Sequence, residues 1–288
     1  MPQRATPIDV WNIGTFDRDL LAQLLPQANL VRNYMTTDHQ IFLDHGLGRA
    51  RDVGSLRPTN PWSAGFQMFK EQVGRLMVER TIRAWHYTRL TDAEVVEMQS
   101  AGIHMSTPTT LRNRLDALAS KGELTGDVAD ALYHASPFHS DQLDARKSKF
   151  WMVSHPLAVD DSGVSRLLKY WGGEVASFWT EAADLLELLR RIGRPRVIEL
   201  AVPISSAGKY HWYSAGEAIV ATFGRSLGCI PDKHSFDLYA IKPLPASAVP
   251  AVHTEGEPSY ARIGRDFPCG FVNVDVGRWR ELTGEEDE

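Results

Sequence analysis

One stretch of the chain has the residue types of a nucleophile with its helpers. Gly224-Arg225-Ser226-Leu227-Gly228 matches the GxSxG form of a hydrolase elbow, and Asp237 and His253 follow in the order serine, acid, histidine. Such an elbow needs a strand running into the serine and a helix leaving it. Here a helical pattern runs in and Cys229-Ile230-Pro231 leaves, so serine hydrolysis is set aside. Ten histidines raise the question of metal ligation, yet none pair at i, i+3 or i, i+4 with an acidic partner on a convincing helix. There is no P-loop, no dinucleotide GxGxxG and no HExxH. Cys229 and Cys269 are too few for a disulfide framework and lack CxxC spacing, which fits free thiols in a reducing cytoplasm.

Composition narrows the classes further. The 288 residues are 43% hydrophobic, enough for one large core or two modest ones. Lys and Arg number 31 against 36 Asp and Glu, for a formal charge of −5, and Glu281 to Glu288 alone hold five acids and no base. A nearly neutral body argues against holding nucleic acid by bulk charge. No apolar run approaches the roughly 18 residues of a membrane helix, so no membrane partner is expected.

The elements that must position any site are separated by punctuation. Gly46, Gly48, Gly54, Pro58 and Pro61 break the early chain, and a helix begins at Ser63, with Phe66, Phe69, Val73, Leu76 and Met77 forming its buried stripe. Ile82 to Leu90 reads as a strand. Thr91-Asp92-Ala93-Glu94 is a capping box, Leu90 and Val95 are placed as a hydrophobic staple, and Gly102 ends the helix. Residues 109–135 read as two helices parted by Gly122, and residues 136–148 as polar loop. Phe150 to Val153 is a strand. A helical stripe from Leu167 to Phe178 is interrupted by Gly172-Gly173, and Thr180 to Ile192 is a further helix. Val197 to Ile204 is a strand, Ser214 to Phe223 a helix with Ser214 and Glu217 as a second capping box, Phe236 to Ile241 a strand, and residues 271–276 a late strand. Helices and strands mix without regular βαβ alternation, which predicts an α+β fold.

Ala84-Trp85-His86-Tyr87-Thr88-Arg89, followed by a capped helix and Ala101-Gly102-Ile103, resembles the first motif of the ADP-ribosyltransferase superfamily, in the poly(ADP-ribose) polymerase and diphtheria toxin branch. There a Trp-His-Gly-Ser/Thr strand leads to a helix ending in Gly-Leu/Ile. Lys149 to Ser154 is similar to the family's Gly-hydrophobic-Tyr-Phe strand, Arg196 to Val202 to its next core strand, and Phe236 to Ile241 to the strand that carries the catalytic Glu. Pro245 to Val252 resembles the segment after it. The likeness covers about residues 81–255. It implies an ADP-ribosyltransferase-like split β-sandwich with helical insertions: residues 1–80 as a mostly helical accessory region, 81–260 as the ADP-ribosyltransferase-like domain, and 261–288 as a C-terminal extension with the acidic tail.

The resemblance also implies chemistry. The chain would take NAD as substrate, release nicotinamide and pass ADP-ribose to a macromolecular acceptor, as a toxin, effector or defence enzyme. Breaking the bond between ribose and nicotinamide develops an oxocarbenium-like cation, so a fixed anion near that sugar is needed. By resemblance His86 holds the ribose of the adenosine half, the Tyr87 backbone holds the nicotinamide carboxamide, Thr88 adds a hydroxyl, and Trp151 stacks on nicotinamide. Asp237 is the expected acid, with Glu255, in Thr254-Glu255-Gly256-Glu257, and Glu174 as the others. Arg89, Arg146, Lys147 and Lys149 are the cations within reach of the pyrophosphate. Tyr87 stands where the family has Gly, Trp151 where it has Tyr, and Asp237 where it has Glu. The alternatives are an NAD glycohydrolase and an inactive nucleotide- or protein-binding module on the same fold. The N-terminal region would meet a target or neutralising protein.

Overall fold

A computed structural model describes residues 6–44, 58–178, 180, 182–265 and 270–271. The acidic tail, Cys269 and residues 272–276 of the expected late strand lie outside them, as do the glycines at 46, 48 and 54. In chain order the helices are α1 (Arg18–Leu24), α2 (Ala28–Asp44), α3 (Ser63–Met77), α4 (Asp92–Ala101), α5 (Pro108–Ser120), α6 (Gly126–Ala135), α7 (Leu143–Arg146), α8 (Ser162–Lys169), α9 (Glu174–Ser177), α10 (Ala183–Arg191), α11 (His211–Ser226) and α12 (Pro258–Arg262). The strands are β1 (Thr81–Leu90), β2 (Phe150–Val153), β3 (Arg194–Pro203), β4 (Asp237–Ala240) and β5 (Ala251–Thr254). Among the described residues they form one five-stranded sheet in the order β4-β2-β1-β3-β5, with β1–β2, β2–β4 and β3–β5 antiparallel. The fold is α+β. No helix among the described residues is long and apolar enough to cross a membrane.

The chain divides into two compact units. One holds the described residues up to Ile82, Lys209–Phe236 and residues 270–271; the other holds those of Arg83–Gly208 and of Asp237–Phe267. The second unit is discontinuous, since α11, which falls within the span 81–260 read from the sequence, packs with α3 in the first.

In the helical unit, α3 buries Phe66, Phe69, Val73 and Met77, and α11 buries nearly every residue from Ala215 to Gly224. Their axes come close because glycines face each other: a Cβ on Gly216 would stand 2.6 Å from the Gly74 backbone. The Lys70 ammonium, 10% exposed, bonds Glu217 at 2.7 Å across this contact. That pairing corrects the second capping box. Ser214 lies inside α11, whose N-cap is Tyr210 with no side-chain bond, and Glu217 serves Lys70.

In the sheet-bearing unit, β1 is the central strand, and local signals set its exit. Thr91 caps α4, its hydroxyl accepting from the Glu94 amide while Glu94 accepts from the Thr91 amide. Gly102 ends the helix at φ 92, where a Cβ would meet the Leu244 carbonyl at 2.2 Å. Two apolar clusters build the core. Trp85, Tyr87, Val164, Leu168, Val197 and Tyr260 form one; α5, α6 and α10 supply the other around Trp171 and Phe138. Residues 136–148, expected as loop, contain a 3-10 turn and α7, so Arg146 sits at a helix end immediately before β2.

Candidate active site

Extended backbone alternates its side chains, so β1 sends Trp85, Tyr87 and Arg89 to one side of the sheet and His86 and Thr88 to the other. Tyr87 is in the apolar cluster beneath α8. Its hydroxyl donates to the Leu157 carbonyl at 2.7 Å and accepts the Leu157 amide at 2.6 Å, and burial raises its pKa well above the usual phenol value. The Tyr87 ring therefore points away from His86 and does not narrow its surroundings.

β1 and β2 pair at Trp85↔Val153, and at the next residue His86 turns its ring to β2, Nδ1 lying 2.8 Å from the Trp151 carbonyl oxygen. A carbonyl can only accept, so Nδ1 carries the proton and the neutral ring presents Nε2 as an acceptor. The Phe150 ring lies against the imidazole at 4.4 Å between centroids. Burial pulls the His86 pKa down to about 4; the Trp151 carbonyl opposes this and the Arg114 charge adds to it. His86 is thus uncharged at neutral pH.

Trp151 is half-buried. Its Nε1 donates to the Ala145 carbonyl at 3.3 Å, its ring leans on Tyr239 at 4.7 Å, and the Arg146 guanidinium lies 6.0 Å from its centroid. Arg146 in turn holds Glu174 in an ion pair. Glu174 begins α9 directly after Gly172-Gly173, a turn that needs glycine. Gly172 has φ 75 and a Cβ there would overlap the Ala176 Cβ at 2.6 Å; Gly173 has φ 56, and a Cβ there would stand 3.9 Å from the hydroxyl oxygen of the buried Thr88. By the strand register Trp151 projects to the Trp85 and Asp237 side, so His86 meets the Trp151 carbonyl and the Phe150 ring, while the Trp151 indole, Arg146 and Glu174 make their own chain of contacts.

Three expected residues fall elsewhere. Asp237 pairs with Val153, which pairs with Trp85, so Asp237 is placed on the Trp85 side of the sheet, opposite to His86. It stands exposed at the start of the edge strand, and the partial burial of its carboxyl raises its pKa. Glu255 is exposed beyond β5, its amide donating to the Pro195 carbonyl at 3.1 Å. Its charge acts on Arg89 and on Tyr260, whose phenol burial pushes up to about 12. Arg89 gives its Nε to the Ile192 carbonyl at 2.8 Å; burial lowers its pKa and Glu255 opposes that. Of the three acids, Glu174 is the one paired with Arg146, beside the Trp151 ring.

Arg114, which sequence reasoning missed, and Glu94, which it read only as a cap, lie nearby. Arg114, on α5, donates from Nε to Glu94 at 2.8 Å and lies over the Trp171 ring at 4.5 Å, and its charge is felt by His86. Glu94 also accepts from the Trp171 indole at 2.9 Å. Burial works against ionising Glu94, yet Arg114, the Thr91 amide and Trp171 hold its carboxyl below the usual range. The signal in the sequence was slight: Arg114 stands three residues after Leu111, beside the stripe of Leu111, Leu115 and Leu118 that α5 buries.

Among the described residues no three His, Cys, Asp or Glu side chains group as metal ligands. Ser226 is no elbow nucleophile, for it lies in the last turn of α11 and its hydroxyl donates back to the Phe223 carbonyl at 2.6 Å. Set against known protein families, curated proteins and solved structures, the chain finds no match.

Proposed function

We propose that this chain is an ADP-ribosyltransferase: it cleaves the bond between ribose and nicotinamide in NAD and transfers ADP-ribose to a macromolecular acceptor, on a split β-sandwich of the ADP-ribosyltransferase type. The observation that carries the reading is the uncharged His86 imidazole on β1, fixed by the Trp151 carbonyl and lying against the Phe150 ring. NAD and an acceptor hydroxyl, amine or carboxyl give the ADP-ribosylated acceptor, free nicotinamide and one proton. In this reading Nε2 of His86 accepts a hydrogen bond from a ribose hydroxyl, Thr88 donates a second contact, and Phe150, whose ring lies beside His86, offers the aromatic face expected of Trp151.

Glu174 takes the role of the acid, in place of Asp237 and Glu255. As the glycosidic bond breaks, its electron pair leaves with nicotinamide and positive charge grows on the ribose. A carboxylate about 4 Å away at an effective dielectric near 20 contributes roughly 4 kcal/mol, or about a thousandfold in rate. The enzyme is placed in the cytoplasm as a toxin, effector or defence protein, with its helical unit meeting a target or neutralising partner.

Incubating the full chain with NAD labelled in the adenosine half, together with cell lysate, tests this directly. Label on a macromolecule and free nicotinamide are expected; neither appearing removes the proposal. Nicotinamide without labelled acceptor would make the chain an NAD glycohydrolase. A second reading, an inactive nucleotide-binding module, is favoured by the placement of Asp237 away from His86, and turnover that disappears in Glu174→Gln excludes it.

A further inference from the structure

Two imidazoles lie side by side where α6 ends, on the surface of the sheet-bearing unit. His134 stands in the last turn of α6, and His139 closes the 3-10 turn Pro137–His139 that follows. Both residues are exposed, and their ring centroids are 5.7 Å apart with the planes 28° from parallel. His134 is oriented by its own helix: Nδ1 lies 2.8 Å from the Asp130 carbonyl oxygen, four residues back. A carbonyl can only accept, so Nδ1 carries the proton and the neutral ring keeps the lone pair on Nε2. The His139 ring meets the Tyr133 ring at 4.8 Å, and among the described residues its nitrogens make no hydrogen bond. Two exposed imidazole nitrogens thus remain available at one place.

We infer that His134 and His139 together bind one divalent transition-metal ion of the copper, nickel or zinc kind, with water in its remaining positions. Metal–nitrogen distances of about 2.0–2.1 Å put the centroids of two imidazoles on one tetrahedral ion about 5 Å apart. The observed 5.7 Å is a small rotation of the exposed His139 ring away from that. An Nδ1 proton given to a main-chain carbonyl is also the outer contact that orients metal-bound imidazoles and raises their basicity. Local charge favours a cation. The ten-residue α6 turns its negative pole to this end, and the Arg112 guanidinium, 5.7 Å over the Tyr133 ring, is ion-paired to both Asp116 and Asp130. Asp130 and His134 have the acid–histidine spacing sought in the sequence, but Arg112 takes the carboxylate, so the protein offers nitrogen alone. Imidazole ligands select copper, nickel and zinc over magnesium and calcium. Two protein ligands make an exchangeable site and not a structural one, since a structural zinc takes four. The inference does not rest on the NAD reading.

Calorimetric titration of the full chain, without an affinity tag and stripped by a chelator, with copper(II), nickel(II), zinc and magnesium salts tests the site. Copper(II) should bind tightest, nickel and zinc more weakly, and magnesium not at all. His134→Ala and His139→Ala should each weaken copper about tenfold or more, and the double variant should lose this ion altogether. Because both residues are exposed, the metal-free variants should unfold at the wild-type temperature. Electron paramagnetic resonance of the copper(II) complex should show coupling to two imidazole nitrogens, and to one in either single variant. Wild-type protein that binds none of the three transition metals overturns the inference, as does a folded double variant that binds copper as wild type does. Loss in one single variant with no effect in the other would mean a lone surface histidine, which also removes the paired site.

Discussion

The imidazole of His86 is bound through Nδ1 to the main-chain carbonyl of Trp151, 2.8 Å away. The ring is thus tied to the backbone of the neighbouring strand β2, and the bond fixes the tautomer that leaves Nε2 as an acceptor. A substituted imidazole site loses both the ring's orientation and its acceptor. His86→Ala should lower nicotinamide release by about a hundredfold, within the range for one well-placed polar group. A parallel reading of ADP-ribose affinity will show whether the loss is in binding or in turnover.

Because burial holds His86 at a pKa of about 4, the neutral ring persists across the ordinary range. Nicotinamide release should be flat from about pH 8 to about pH 5.5 and decline only toward pH 4, as far as this group governs it. Stability moves earlier. The unfolded histidine takes up a proton near its usual pKa of about 6.5, whereas the folded one waits until about 4, so stability falls as the pH drops through that interval. Urea unfolding at pH 7 and pH 5 should show a smaller fall in His86→Gln than in wild type.

The acids separate cleanly. Glu174→Gln should reduce turnover by about a hundredfold to a thousandfold, whereas Asp237→Asn, on the opposite side of the sheet, should change it by no more than about twofold. Equal losses in both variants would return the catalytic role to the β4 strand.

The Gly172-Gly173 turn makes a prediction about stability. Alanine at Gly172 meets both a positive φ of 75 and the Ala176 methyl 2.6 Å away, and should destabilise the fold by about 1–3 kcal/mol. Thermal unfolding measures this, and an unchanged midpoint would show that the turn is not as tight as described.

Glu199 carries a second pH signature. Burial opposes its ionisation, but the His253 imidazole 3.7 Å away and the Arg83 guanidinium that hydrogen-bonds it bring its pKa to about 2. Arg83 grips it through two bonds of 2.8 Å. The stabilisation is present above the ordinary carboxylate pKa of about 4.5 and is lost as pH falls toward 2. Arg83→Gln should cost about 2 kcal/mol at pH 7 and bring acid unfolding to a higher pH, followed by circular dichroism.

How much of this was legible depended on the range of the interaction. The passage from Leu90 through Thr91 and Glu94 to Gly102 could be read residue by residue, since caps and left-handed glycines are set by neighbours a few positions apart. The same pattern misled at Ser214 and Glu217, where a partner 147 residues distant, Lys70, claims the carboxylate. The strands that carry His86 and Trp151 and the glycine pair before Glu174 could be read in advance, because local residue types mark each of them. Which acid adjoins the histidine could not, because it turns on strand register: one paired residue, Val153, sends Asp237 to the other side. Arg114 was hidden for a related reason. On its own helix it is one charge beside an apolar stripe, and only the fold brings it against Glu94 and Trp171.

The association of α11 with α3 also governs how the gene can be trimmed. A fragment starting at residue 81 would look like a tidy minimal enzyme, yet it would carry Ile219, Val220 and Phe223 on a helix stripped of the glycine-faced neighbour that keeps them dry. Such a fragment should precipitate, whereas one that also replaces residues 209–236 by a short linker keeps each half with its own interior.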